Sequence, residues 1–142
     1  MRELLEKGLL FAGLALVVLS IASFWIPKAL QWREKLADLT PLLRDMFWTY
    51  SIYIWASHVF FAVLALGYRD WLLGQSGAAA LISGFIALWW LARLAMQFFG
   101  FNLSEIEDSW QNRMAKHLLT ALFIFLTVIF AGTLWWNLGG EA

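Results

Sequence analysis

Residues 46–68 read MFWTYSIYIWASHVFFAVLALGY, 23 residues without Asp, Glu, Lys or Arg. About 20 apolar residues in a helix cross the hydrocarbon core of a bilayer. The stretch is therefore long enough to span, and its flanks agree. Arg44 and Asp45 precede it, and Arg69 and Asp70 follow it.

Working outward, three further stretches behave alike. They are 8–27 and 118–139, both without charge, and 78–101, which holds Arg93 alone. All 10 acidic residues fall outside these spans. A charge at mid-bilayer costs roughly 2.5–3.5 kcal/mol on insertion scales, so this segregation carries the fold assignment. The whole chain is 142 residues, 62% hydrophobic and 14% charged. Ordinary soluble domains are roughly 45–50% apolar and about 25% charged. A soluble fold of this length cannot hide so much apolar surface, because small domains bury only about two-thirds of what the unfolded chain exposes. The composition also excludes a disordered chain, and with no Cys it excludes a disulfide scaffold and a thiolate-ligated metal. Lys plus Arg balance Asp plus Glu at 10 each, so no basic surface for nucleic acid is implied.

The first span needs comparison with a signal peptide. Arg2 and Lys7 precede an apolar run that passes Ser20-Ile21-Ala22-Ser23. A secretory h-region has about 7–15 apolar residues, and this run reaches Pro27, so a retained helix is expected. Trp25 and Trp48 mark one end of the spans, and Trp71, Trp135 and Trp136 the other, as interfacial aromatic belts do. Trp55, Trp89 and Trp90 fall at mid-span, where they fill space between helices or face lipid. An even number of spans puts both termini on one side, with Arg2, Lys7 and Arg69. The opposite side holds Lys28, Arg33, Lys35, Arg44, Arg113 and Lys116. The positive-inside rule then places both termini outside the cytoplasm.

The loops carry their own patterns. Trp32, Leu36, Leu39 and Leu43 follow helical spacing among charged residues, which suits a short amphipathic helix on the membrane surface. Thr40-Pro41 restarts the chain, with Thr as N-cap and Pro at the first helical position. Ser104-Glu105-Ile106-Glu107 reads as a capping box leading into the fourth span, with Ile106, Trp110 and Met114 on one face. Gly100 and Asn102 mark the break after span three. Gly74-Gln75-Ser76-Gly77 forms a short turn, so spans two and three are expected as antiparallel neighbours. The fold expected is all-α: a single domain forming an up-and-down four-helix transmembrane bundle with a short amphipathic interfacial helix between spans one and two.

Residues 32–50, WREKLADLTPLLRDMFWTY, resemble a stretch of small bacterial inner-membrane proteins of unassigned function. The shared feature is an amphipathic segment leading into the second transmembrane helix. The resemblance implies the four-span layout and an inner-membrane location. It implies no activity, cofactor or catalytic residue.

Polar groups within the spans are the candidate site. His58 lies at the centre of span two, on a face with Ser51, Trp55, Ala62 and Ala65. Intramembrane histidines are functional candidates by default. His58 can ligate haem iron or a chlorophyll-type magnesium, or hydrogen-bond a quinone. Its structural alternative is a neutral imidazole bonded to a hydroxyl or carbonyl of a neighbouring helix. His117 starts span four, roughly 18 Å away in depth at the helical rise, so one haem cannot bridge the two histidines. Arg93 lies some 12 Å below the end of span three, within reach of Tyr50 and Tyr53 at similar depth. It either snorkels to phosphate or anchors an anionic group with Tyr53. Small-residue stripes mark helix seams: Gly8, Ala12 and Ala15; Ser83, Ala87, Trp90, Arg93 and Gln97; and His117, Thr120, Thr127 and Ala131.

No span contains Asp or Glu, which argues against proton-coupled pumping. No span is broken at mid-depth by paired Gly or Pro, as an unwound transporter site would be. No hydrolase or metalloprotease motif occurs. The acidic cluster Glu105, Glu107 and Asp108 fits a helix N-terminus better than a metal site. The sequence thus points to a non-enzymatic integral membrane protein. Its expected role is an accessory or anchoring subunit, whose partners are lipid and other membrane subunits or itself. The competing readings are a haem-, pigment- or quinone-binding redox subunit using His58, Tyr53 and Arg93, and a small-solute or lipid carrier.

Overall fold

A computed structural model describes residues 1–100 and 108–140. All regular elements among the described residues are helices: α1 (Arg2–Ser23), α2 (Ile26–Ala29), α3 (Trp32–Lys35), α4 (Pro41–Gly67), α5 (Arg69–Leu72), α6 (Gly77–Phe99) and α7 (Trp110–Asn137). Helices α1, α4, α6 and α7 are long and apolar enough to cross a membrane. Both prolines stand in the first turn of a helix, Pro27 in α2 and Pro41 in α4. A missing N–H is harmless there, and no long helix is interrupted.

The helices start earlier than their apolar stretches. Helix α1 begins at Arg2 and carries a Glu3–Lys7 pair at 2.9 Å in its first turns. Helix α4 begins at Pro41 rather than Met46, and α7 at Trp110 rather than Leu118. Hydropathy measures the length suited to lipid, whereas backbone hydrogen bonding continues into water. At the other end, α1 stops at Ser23, short of Pro27. The amides of Phe24 and Trp25 tighten onto the carbonyls of Ile21 and Ala22 before Pro27 enters a separate turn.

Capping was partly foreseen. Thr40 is extended (ψ 148°) ahead of Pro41, as the residue before a proline prefers, but its hydroxyl makes no cap bond. Ser76 caps α6 by accepting from the Ala79 amide at 3.1 Å, and Ser109 caps α7 by accepting from the Asn112 amide at 3.2 Å. Gly100 follows α6 as anticipated. The expected capping box at 104–107, with Asn102, lies outside the described residues. The amphipathic stripe of Trp32, Leu36, Leu39 and Leu43 does not form one helix. Helix α3 is a single turn, Gln31 before it is left-handed (φ 53°), and Leu43 belongs to α4. Trp32 instead packs edge-on against Phe47 and Trp48 of α4, at 4.9 and 6.0 Å between ring centroids.

Close backbone packing joins α6 to α7, α1 to α4, and α1 to α7. Small residues on α1 allow this. A Cβ on Gly8 would lie 2.5 Å from Ile129 Cδ1, and one on Gly13 would lie 2.5 Å from Leu66 Cγ. Gly8 and Ala12 were expected at a seam; Gly13 was not. On α7 the buried stripe is Phe123, Leu126, Phe130, Thr133 and Asn137, rather than His117, Thr120, Thr127 and Ala131. Large side chains fill the buried face, and of the expected stripe Thr120 reaches across to Gln97 of α6 at 2.9 Å. The turn end of the molecule is pinned by polar contacts. Asn137 Nδ2 donates to the carbonyls of Leu72 (2.6 Å) and Thr133 (2.8 Å), and Trp136 Nε1 donates to Leu73 (3.0 Å).

Burial is uneven along the helices. In α4 the buried residues lie between His58 and Ala65, in α6 between Ala79 and Trp90, and in α7 between Phe123 and Asn137. None is buried in 41–57, 91–99 or 110–122. One end is packed and the other is open.

Candidate functional site

Helices α4 and α6 follow one another through α5 and a turn with Gln75 left-handed (φ 53°). They were expected as antiparallel neighbours, and they meet through aromatic side chains that bridge the seam. Phe61 of α4 lies 6.3 Å from Phe85 and 5.6 Å from Trp89, both on α6. Bulky rings at these positions set the spacing, just as glycine sets the closeness of α1 to α4.

His58 sits where this seam meets the open end. Its ring stacks on Trp90 (5.0 Å between centroids, 28° between planes) and meets the edge of Trp89 at 6.4 Å. Trp90, fully buried, stacks in turn on Phe123 of α7 at 5.4 Å. The Arg93 guanidinium carbon then lies 5.0 Å from the Phe123 centroid. A continuous ladder therefore runs from His58 through Trp90 and Phe123 to Arg93. A guanidinium over an aromatic face is favourable, the more so when desolvated.

The ladder leaves polar atoms unmatched. His58 Nδ1 and Nε2, Trp90 Nε1 and Ser83 Oγ are buried without a hydrogen-bond partner. The expected bond from His58 to a hydroxyl or carbonyl is not formed, because its surroundings are rings. A buried polar atom left unpaired costs about 1–3 kcal/mol. The unmatched nitrogens of His58 and Trp90 sit on stacked rings, so the cost is concentrated at one point of the seam.

The other candidates fall elsewhere. Tyr50 and Tyr53 are exposed on α4, whereas Arg93 packs on Phe123. Tyr53 lines a groove on the α4/α6 seam with Ala56, Ser57, Phe60, Phe61, Ile82, Phe85 and Ile86, of about 410 Å³. One turn beyond Arg93, Gln97 Nε2 donates to Thr120 Oγ1 at 2.9 Å and to the Lys116 carbonyl at 3.3 Å. His117 is exposed. Trp55, mid-span on α4, donates its indole N–H to the Ser20 carbonyl of α1 at 3.1 Å. A second groove of about 510 Å³ lies between α1 and α4, from Val17 and Phe24 to Trp55 and Leu66.

A haem or chlorophyll ring does not fit at His58. Axial ligation needs an imidazole nitrogen facing an open slot; both nitrogens are enclosed, and neither groove is lined by His58. Among the described residues, no three His, Cys, Asp or Glu side chains gather where they could hold a metal ion. Sequence spacing placed Trp90 on a helix seam, and it packs there between His58 and Phe123. Phe123 was missed, since nothing in its own surroundings marks it. No family model, curated protein or solved structure matches the chain. The site is therefore read from its own chemistry.

Proposed function

We propose that the chain is an up-and-down four-helix transmembrane bundle of the bacterial inner membrane, working without catalysis as an anchoring subunit of a larger membrane assembly. The observation that carries this reading is the uneven burial. From Pro41 to Ser57, Leu91 to Phe99 and Trp110 to Leu122, three long helices continue with no buried residue. These lengths hold Arg93, a charged group that is costly to leave against lipid, and the Gln97–Thr120 hydrogen bond. A membrane partner seated between α4 and the α6/α7 pair would shield them and complete the packing. Helix association in bilayers relies on such close packing and interhelical polar contacts, because lipid tails are as apolar as leucine.

The distribution of Lys and Arg supports termini outside the cytoplasm and the two long loops inside. The test is extraction from the native membrane in mild detergent, followed by size-exclusion chromatography with light scattering. Co-elution with a partner, or a stable oligomer, is expected. Elution as a stable monomer refutes the assembly role. Reporter fusions at residue 140 check orientation, and a cytoplasmic reporter signal refutes it.

A further inference from the structure

We propose that the groove between α1 and α4 seats one acyl chain of a phospholipid, whose phosphate is held by Arg69 at the groove's shallow end. The inference goes beyond the assembly role and shares with it only the placement of the long helices in a bilayer.

The walls select hydrocarbon. The groove holds about 510 Å³, within the roughly 300–1,000 Å³ of small-molecule sites. Val17 and Ile21 of α1 line it, with Val59, Val63 and Leu66 of α4. The polar groups on these walls are already engaged. The Ser20 hydroxyl donates to the Leu16 carbonyl at 2.8 Å, and the Trp55 indole N–H donates to the Ser20 carbonyl at 3.1 Å. An occupant is therefore offered no side-chain hydrogen bond inside the groove. Beside it the two helices pack closely, since a Cβ on Gly13 would lie 2.5 Å from Leu66 Cγ. A slot between helices so joined takes a single hydrocarbon chain, whereas an α-helix with its side chains is about 10–12 Å across.

Length and charge select a phospholipid. From Trp55, at the middle of α4, to Gly67, its last residue, the helix rises about 18 Å. One leaflet contributes about half of a 30 Å hydrocarbon core. Phe24 and Trp55, 5.1 Å apart between ring centroids, stand at the deep end, where a leaflet's chain would terminate. Gly67 stands at the shallow end, with nothing within 4 Å of an added Cβ. Arg69 follows two residues later. It takes part in no ion pair among the described residues, whereas its neighbour Asp70 is held by Arg2 at 3.4 Å. A guanidinium suits a phosphate, which it can meet with two parallel N–H bonds. Because lipid tails are as apolar as leucine, fit along the chain and this charge supply the selectivity.

The experiment takes the full chain from the membrane fraction into dodecyl maltoside and adds palmitoyl-oleoyl phosphatidylglycerol. The diacylglycerol with the same chains serves as a probe without phosphate. Native mass spectrometry counts the lipids bound to each single chain, so loss of a protein partner leaves the count unchanged. The first phospholipid is expected to bind at least tenfold more tightly than the second. Val63→Trp fills the groove from an exposed position and should abolish that first step. Arg69→Gln should weaken it at least fivefold, Arg69→Lys should weaken it less, and the diacylglycerol should not compete. A series of equal affinities, or an unchanged first step in Val63→Trp, overturns the proposal in favour of loosely held surrounding lipid. An unchanged first step in Arg69→Gln, or equal competition by the diacylglycerol, overturns it in favour of an apolar groove alone. Should Val63→Trp fail to fold, Arg69→Gln and the competition still decide.

Discussion

The two ends of the long helices differ in composition and in packing: the open ends of α4 and α7 hold Arg44, Asp45, Arg113 and Lys116, whereas their packed ends, 58–67 and 123–137, hold no charge. Toward the termini, small residues face large ones: Gly8 meets Ile129, Gly13 meets Leu66, and Trp90 stacks on Phe123. Toward the long loops, α4, α6 and α7 bury nothing over 41–57, 91–99 and 110–122. Helix α1 accounts for part of the contrast. It touches both α4 and α7, its buried residues run from Leu5 to Ser20, and the chain leaves it at Ser23. Trp55, bonded to Ser20, is the last α4 side chain tied to α1 by a hydrogen bond. Beyond that level the remaining helices lack the element that connects them. Charge at the open end and the matching of small to large side chains at the packed end thus act together in dividing the molecule.

The comparison is sharpest at the large rings. Trp90→Ala removes a fully buried side chain that touches α4 and α7. Truncating a core Phe or Trp to Ala costs about 3–5 kcal/mol, and a comparable loss is expected here. Trp110→Ala, at an exposed position on the open end of α7, should change stability by no more than about 0.5 kcal/mol. Thermal or denaturant unfolding in one detergent measures both. Equal losses would break the division into two ends.

Glycine gives the second contrast. Gly13→Leu drives a side chain into Leu66 and Ala65, and overpacking of this kind costs typically 1–3 kcal/mol. Gly67, at the last turn of α4, has nothing within 4 Å of an added Cβ. Gly67→Ala is expected to be neutral or to stabilise by about 0.4–1 kcal/mol, by restricting the unfolded chain. The same unfolding assay reads the pair, and a destabilised Gly67→Ala would show that α4 is held there by contacts not evident in its packing.

A smaller loss is expected at the pinned end. Asn137→Ala removes two donated hydrogen bonds and leaves the buried Leu72 carbonyl without that donor. At a net 0.5–1.5 kcal/mol for each of the two bonds, a loss of about 1–3 kcal/mol is expected, together with faster amide exchange in the 68–76 turn. Unchanged exchange would mean that α5 holds its place without α7.

The four long apolar helices were legible because charge at bilayer depth is expensive, and the chain keeps all but Arg93 out of the four stretches. Pro41 and Gly100 were legible because their backbone constraints act locally. The α7 face was not. Choosing Thr120, Thr127 and Ala131 over Phe123, Leu126 and Phe130 follows from a rule about small residues, and which rule governs a helix depends on its neighbour. The site was half legible for the same reason. His58 stood out as a polar group in an apolar run, whereas its partner Trp90 is apolar in bulk, and only the fold brings Phe123 and Arg93 into line with it.

The smallest effect probes the open end itself. Gln97 and Thr120 join α6 to α7 there by a 2.9 Å hydrogen bond, and Thr120 also donates to the Lys116 carbonyl of its own helix. Interhelical bonds of this kind average about 0.6 kcal/mol in double-mutant cycles within membranes. A cycle built from Gln97→Ala and Thr120→Val should give a coupling of that size for the isolated chain, since water and lipid headgroups compete for both side chains when nothing covers them. In the assembly proposed above, a partner would exclude that competition and raise the coupling. The ratio of the two couplings therefore reports whether the open end is covered. Equal couplings in the isolated and assembled protein would place any partner elsewhere on the surface.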